Sequence, residues 1–241
     1  MTVALTELPP LYRLRDYHII ESDFTTDRDA AEWVQTGDAA ASANIGDAVG
    51  GILALQVGGT ADNDECYIES PNETFKFAEN KPLRWAARVQ FTEASTNKDN
   101  IIAGLLDAVG ANTLQDNGAG PPASYSGAVF FKEDGQVLWS VEASIATSPQ
   151  TTVQLTAANS LDKTAHTAGS SGYQWLVIEF TPINATLAEI SFFIDGVHVY
   201  KITGDYITSA TEMQLCFGAK AGGASAAPTL NVDMVSCIQK R

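Results

Sequence analysis

YQWLVIEFTPINATLAEISFFIDGVHVY, residues Tyr173–Tyr200, is the stretch whose reading decides the fold. It divides into three strands in series. Trp175–Phe180 is rich in β-branched and aromatic residues, and a polar break with Pro182, Asn184 and Thr186 follows. A second run passes through Ile190, Phe192 and Ile194. Asp195-Gly196 then supplies a tight hairpin turn, because glycine accepts the positive φ that primed turns demand, and Val197–Tyr200 returns. The segment predicts an antiparallel sheet with a large apolar face and no reactive group.

Working outward, strand-like runs recur at short intervals: 18–24, 51–57, 65–69, 74–77, 83–91, 100–107, 127–132, 136–142, 151–156, 212–217 and 229–239. Leu83, Trp85, Ala87, Val89 and Phe91 share one face of their strand, with Arg84, Ala86, Arg88 and Gln90 on a partly wet face. Roughly a dozen strands without long helical periodicity predict an all-β sandwich or jelly roll. Short turns near Asp27–Trp33 and Glu93–Asp99 are the only places where helix is expected. Two long loops, Gly110–Ser126 and Ala157–Gly172, break the pattern, and loops of this length are usually functional or mobile. No composition shift marks a boundary, so one domain over 18–241 is expected behind an extended arm at 1–17. In that arm Pro9-Pro10 blocks helix, and Leu11, Tyr12 and Leu14 alternate with Arg13 and Arg15.

Charge and composition exclude several classes. Fourteen Lys and Arg stand against 29 Asp and Glu, a net charge of −15 that repels phosphate and argues against nucleic acid. No run of about 18 apolar residues is present, so no membrane helix is expected. The first residues lack a basic segment followed by an apolar one, so no secretory leader is expected. Cys66, Cys216 and Cys237 lie in strand-like runs without metal-binding spacing. They read as buried thiols of a reducing cytoplasm, with a Cys216–Cys237 bridge as the alternative.

The search for chemistry returns little. The β-glucanase pattern E-x-D-x-x-E is absent: Glu21-Ser22-Asp23 is followed by Thr26 where the second Glu belongs. Glu179 and Glu189 fall on adjacent strands and either face each other or point outward as surface residues. Asp62-Asn63-Asp64-Glu65 gathers oxygen donors of the kind Ca²⁺ takes, and reads equally as a turn after Gly58-Gly59. Asp23, Asp27 and Asp29 share that ambiguity. His18, His166 and His198 are scattered, with no nucleophile or zinc motif around them. Trp33, Trp85, Trp139 and Trp175 all sit in apolar contexts that predict core packing, which leaves Tyr125 as the exposed aromatic able to stack on a sugar.

The Trp175–Val199 pattern resembles the concanavalin A-like (LamG-like) sandwich, where a Trp-bearing strand leads to an Asp-Gly hairpin. The blocks at 50–77, 81–108 and 118–135 are similar to strands of decoration or capsid-associated proteins of tailed-phage heads. That resemblance implies a non-enzymatic concanavalin A-like jelly roll on the virion, assembled in the host cytoplasm. It implies docking on the major capsid protein through Leu11, Tyr12, Arg13, Leu14 and Arg15, as a homo-oligomer on the capsid lattice. No catalytic residue and no cofactor come with it, Ca²⁺ aside, and neither nucleic acid nor membrane is an expected partner. A carbohydrate-binding, lectin-like module is the alternative, and a glycoside hydrolase a third reading.

Overall fold

The computed structural model describes residues 16–25, 33–46, 50–59, 61–93, 97–146, 149–169, 172–223 and 227–241. Among these residues sixteen strands, numbered in chain order, form two antiparallel sheets of eight. The first sheet runs β14 (Val197–Asp205), β13 (Leu187–Ile194), β12 (Gln174–Pro182), β7 (Leu83–Thr92), β16 (Thr229–Lys240), β4 (Ile52–Gln56) and β3 (Ser42–Gly46). β1 (Tyr17–Ser22) joins it alongside the far end of β16. The second runs β11 (Gln150–Gln154), β10 (Ser140–Ser144), β9 (Gly127–Lys132), β8 (Asp99–Leu106), β15 (Glu212–Ala221), β5 (Glu65–Glu69) and β2 (Val34–Gly37), with β6 (Phe75–Lys76) beside the start of β15.

Side-chain alternation welds the sheets together. Leu83, Trp85, Ala87, Val89 and Phe91 point inward from β7, and Leu176, Ile178 and Phe180 from β12. They meet Met213, Leu215, Phe217 and Ala219 of β15 and Phe130 of β9. Phe77 stacks on Phe180 with ring centroids 4.5 Å apart, and Phe130 makes edge contacts with Trp139 and Phe192. Each aromatic pair adds about 0.5–1.5 kcal/mol beyond the area it buries.

The expected hairpin is present. Asp195 and Gly196 have φ of 50° and 80°, the left-handed pair a primed turn needs. β2 and β3 escaped the sequence reading because VQTG and SANIG are short and carry little apolar area. The strand expected over 136–142 starts instead at Ser140. The Glu133–Gln136 turn precedes it, and Leu138 makes only an isolated bridge to Thr167. No helix among the described residues is long and apolar enough to cross a membrane.

Candidate functional site

The outward face of the second sheet is closed. Strand registers place Glu69, Cys216, Gly104, Val129, Glu142 and Thr152 in one row across β5, β15, β8, β9, β10 and β11. At Gly104 a Cβ would sit 2.4 Å from the Ala128 carbonyl oxygen, so only glycine lets β8 and β9 pair there. The loop after β8 folds over this row, laying Leu114 and Tyr125 on Ile102, Leu106, Val129 and Phe131 as a second apolar cluster. The 110–126 loop is therefore a packed cover. Tyr125, expected to be exposed, is 3% accessible. Burial pushes its phenol pKa up, and the neighbouring Glu142 carboxylate adds to the effect.

A buried cation pins the cover. Lys220 is completely inaccessible, and its Nζ donates to Glu65 Oε2 (3.1 Å), Asn112 Oδ1 (2.7 Å), the Leu114 carbonyl (2.9 Å) and Asp116 Oδ1 (2.6 Å). Glu65 also accepts from the Tyr67 hydroxyl and the Asn112 amide, while the Tyr67 oxygen accepts from the Leu114 amide. Burial, reinforced by Glu65, holds the Tyr67 phenol protonated far above its usual range.

The carboxylates on this face do not form a hydrolytic pair. Glu69 and Glu142 lie four strand spacings apart, roughly 19 Å at about 4.8 Å each. Retaining and inverting glycosidases separate their acid and its partner by about 5–10 Å. Burial raises the Glu69 pKa from 4.5 to about 7, although Gln214 Nε2 donates to it at 2.7 Å. The folded state therefore binds this proton more tightly than the unfolded chain, and stability falls as pH rises from 4.5 to 7. Glu69→Gln keeps an acceptor for Gln214 and should remove that slope. It should raise stability at pH 8 by about 1 kcal/mol after allowance for solvent screening, as read from urea melts at pH 5 and pH 8.

Among the described residues the outward face of the first sheet is partly exposed, and it carries an aromatic platform. Trp175 is 38% exposed, whereas Trp33, Trp85 and Trp139 are buried. The sequence reading placed Trp175 in the core. Its strand parity puts it outside, since Leu176, Ile178 and Phe180 point inward and leave Trp175, Val177 and Glu179 on the other face. The Asp-Gly turn clamps its backbone from both sides: the Trp175 amide donates to Asp195 Oδ1 and the Asp195 amide to the Trp175 carbonyl, each at 2.8 Å. Arg88, opposite Trp175 on β7, lays its guanidinium over the Tyr173 ring at 4.4 Å and pairs with Asp233. Asp233 is the extra residue of a β-bulge between Val232 and Met234, which turns its carboxylate toward Arg88. Gln90 and Asn231 lie next along the sheet, and Phe193 stacks on His198 on the opposite flank. The sequence reading put Arg88 and Gln90 on a wet face without a role, and gave none to Asp233, Tyr173 or Asn231. Counting outward positions from Trp175 finds the strand partners, whereas the bulge at Asp233 leaves no sequence signal.

Elsewhere the expected groups have other employment. Asp64 Oδ2 accepts from the Ala61 amide, Asn63 takes a left-handed turn conformation and accepts from Asn117, and Glu65 belongs to the Lys220 node. Asp62 is exposed beside them. Among the described residues no cluster of three or more His, Cys, Asp or Glu is arranged to hold a metal. Glu179 and Glu189 share the outward face of the first sheet as diagonal neighbours, but each meets a cation, Arg84 at 3.3 Å and Lys201 at 2.7 Å. The Lys201 hydrogen bond draws the Glu189 pKa down, the opposite of what a proton donor needs. His166 sits 3.1 Å from Asp162 in its loop, and His18 packs on Phe75. The three cysteines are buried free thiols. Cys216 lies under the cover while Cys237 points into the core, so no bridge joins them. Asp23 caps Thr25, whereas Asp27, Asp29 and the docking residues Leu11, Tyr12, Arg13, Leu14 and Arg15 lie outside the described residues.

No protein family and no curated protein matches the chain. Solved structures do. The metal-free carbohydrate recognition domain of Emp46p aligns at TM-score 0.56 and 8% identity over 90% of this chain and 94% of its own. Peanut lectin aligns at 0.57 and 10% identity over 93% and 97%, and an endo-1,3-β-glucanase from Streptomyces sioyaensis at 0.57 and 14% over 96% and 98%. The fold is the concanavalin A-like sandwich. At these identities the likeness is one of architecture, and lectins and a hydrolase share it.

Proposed function

We propose that this chain is a carbohydrate-binding, lectin-like module that holds glycans without cleaving them. The exposed Trp175, with Tyr173, Arg88 and Asp233 fixed around it, is the observation that carries the reading. Sugar rings present a face of C–H groups edged by hydroxyls. An immobilised aromatic covers the first, while a planar guanidinium and a carboxylate address the second. Both bulge and turn spend local geometry on aiming these groups. The fold likeness to carbohydrate recognition domains agrees with this reading. No observation among the described residues favours attachment to a capsid.

The test is a glycan array followed by calorimetry on the best ligand. Trp175→Ala should weaken binding roughly thirtyfold, about 2 kcal/mol, the loss typical of a Trp at the centre of a contact. Glu179→Gln and Glu189→Gln should bind as the parent does. Chelation of Ca²⁺ should leave affinity unchanged, because Asp64 and Glu65 already serve the turn and the Lys220 node. Absence of any bound glycan, or full affinity in the Trp175 variant, would sink the reading.

A further inference from the structure

Building on the carbohydrate-binding reading, we infer that the ligand is an uncharged, extended glycan lying across the strands of the first sheet, and that it is gripped along its length. A row of polar side chains continues from the platform on one side. One step before Gln174, which pairs with Val89, Tyr173 lies beside Gln90. From Gln90 the registers continue to Asn231 on β16, Ala54 on β4 and Asn44 on the edge strand β3. The row presents a tyrosine, two amides, a gap left by a small side chain, and a third amide. Successive members are about 4.8 Å apart, close to the advance of one sugar in a fully extended chain. Each amide offers a donor and an acceptor, the pairing that vicinal hydroxyls require. Gln90 and Asn231 are half-buried and orient one another, with Asn231 Nδ2 3.5 Å from Gln90 Oε1, and Asn44 is exposed. A sheet face has no walls to enclose a chain end, so the row suits the flank of a polymer.

Charge selects among polymers. Arg88, Arg84 and Lys201 on this face are each paired with a carboxylate, and the protein carries −15 overall. A polyuronate or sulfated glycan meets repulsion without a free cation in this row to offset it.

The experiment measures affinity for neutral β-glucan and mannan oligosaccharides from mono- to hexasaccharide, with polygalacturonate as the charged comparison. Affinity of the parent protein should climb with chain length by roughly tenfold or more between the mono- and pentasaccharide, the factor that one or two added polar contacts supply. Asn231→Ala and Asn44→Ala should flatten the climb of affinity with chain length. Melting temperatures verify folding, and the exposed Asn44 carries the test alone if Asn231→Ala is unstable. A monosaccharide bound as tightly as the hexasaccharide, with Trp175→Ala still defective, would overturn the extended track and leave the binding function standing. Preference for polygalacturonate would overturn the neutral ligand. If no glycan binds the parent, both this inference and the function it rests on fail.

Discussion

Lys220→Met is expected to lower the unfolding free energy by about 3–5 kcal/mol, the range for removing one partner of a buried ion pair. Methionine fills most of the volume, so the loss is electrostatic. Four oxygens lose their common donor, and Glu65 stays buried with an uncompensated charge. For a chain of this size the melting temperature should drop by roughly 10 °C. A second substitution discriminates the cause. Lys220→Met with Glu65→Gln removes the stranded charge and should recover part of the loss, whereas two independent packing defects would add. Equal stability of parent and single variant in urea melts would show that the cover is not held by this node. The cover should also loosen first: amides of Asn112 and Leu114, which donate to Glu65 and Tyr67, should exchange faster in the variant than those of β8 beneath.

Trp139→Ala should cost about as much, 3–5 kcal/mol, through the cavity left by a fully buried indole. Its ring makes edge contacts with Phe91 and Phe130, and its Nε1 donates to Gln174 Oε1 at 3.0 Å. Gln174 in turn donates to the Thr167 carbonyl and sits between Tyr173 and Trp175. Trp139→Phe separates the two roles. It keeps most of the packing and drops the donor, so stability should fall by about 1 kcal/mol while glycan affinity falls disproportionately. Affinity unchanged in a stably folded Trp139→Phe would show that the platform does not depend on this anchor.

What could be read from the residues follows from their periodicity. β7, β12 and β13 announce themselves because long runs of inward Leu, Ile and Phe alternate with polar positions. β2 and β3 do not, since an edge strand needs little apolar area of its own. Tyr125 and Trp175 exchanged places for one reason. Neighbouring composition is a poor guide to exposure, because a polar loop can fold onto a sheet and a hydrophobic strand always has an outward side. Lys220 lies near the end of β15, and its partners lie more than a hundred positions away in the sequence. Nothing local signals such a node. The bulge at Asp233 is hidden in the same way, because an inserted residue changes register without changing composition.

β16 has a consequence for how the molecule assembles. It is last in chain order, yet it lies between β7 on one side and β4 and β1 on the other. Until a ribosome has delivered it, β7 has an unpaired edge and the first sheet exists as three unconnected pieces, β14 to β7, the β3–β4 pair and β1. Asp233 and Asn231 arrive with the same strand, so the proposed glycan-binding face is incomplete until β16 has paired. Pairings of this span form slowly, and a nascent chain waiting for one exposes apolar edges to its neighbours. Chaperone demand during synthesis should therefore be set by the interval between β7 and β16, more than by the stability of the finished sandwich.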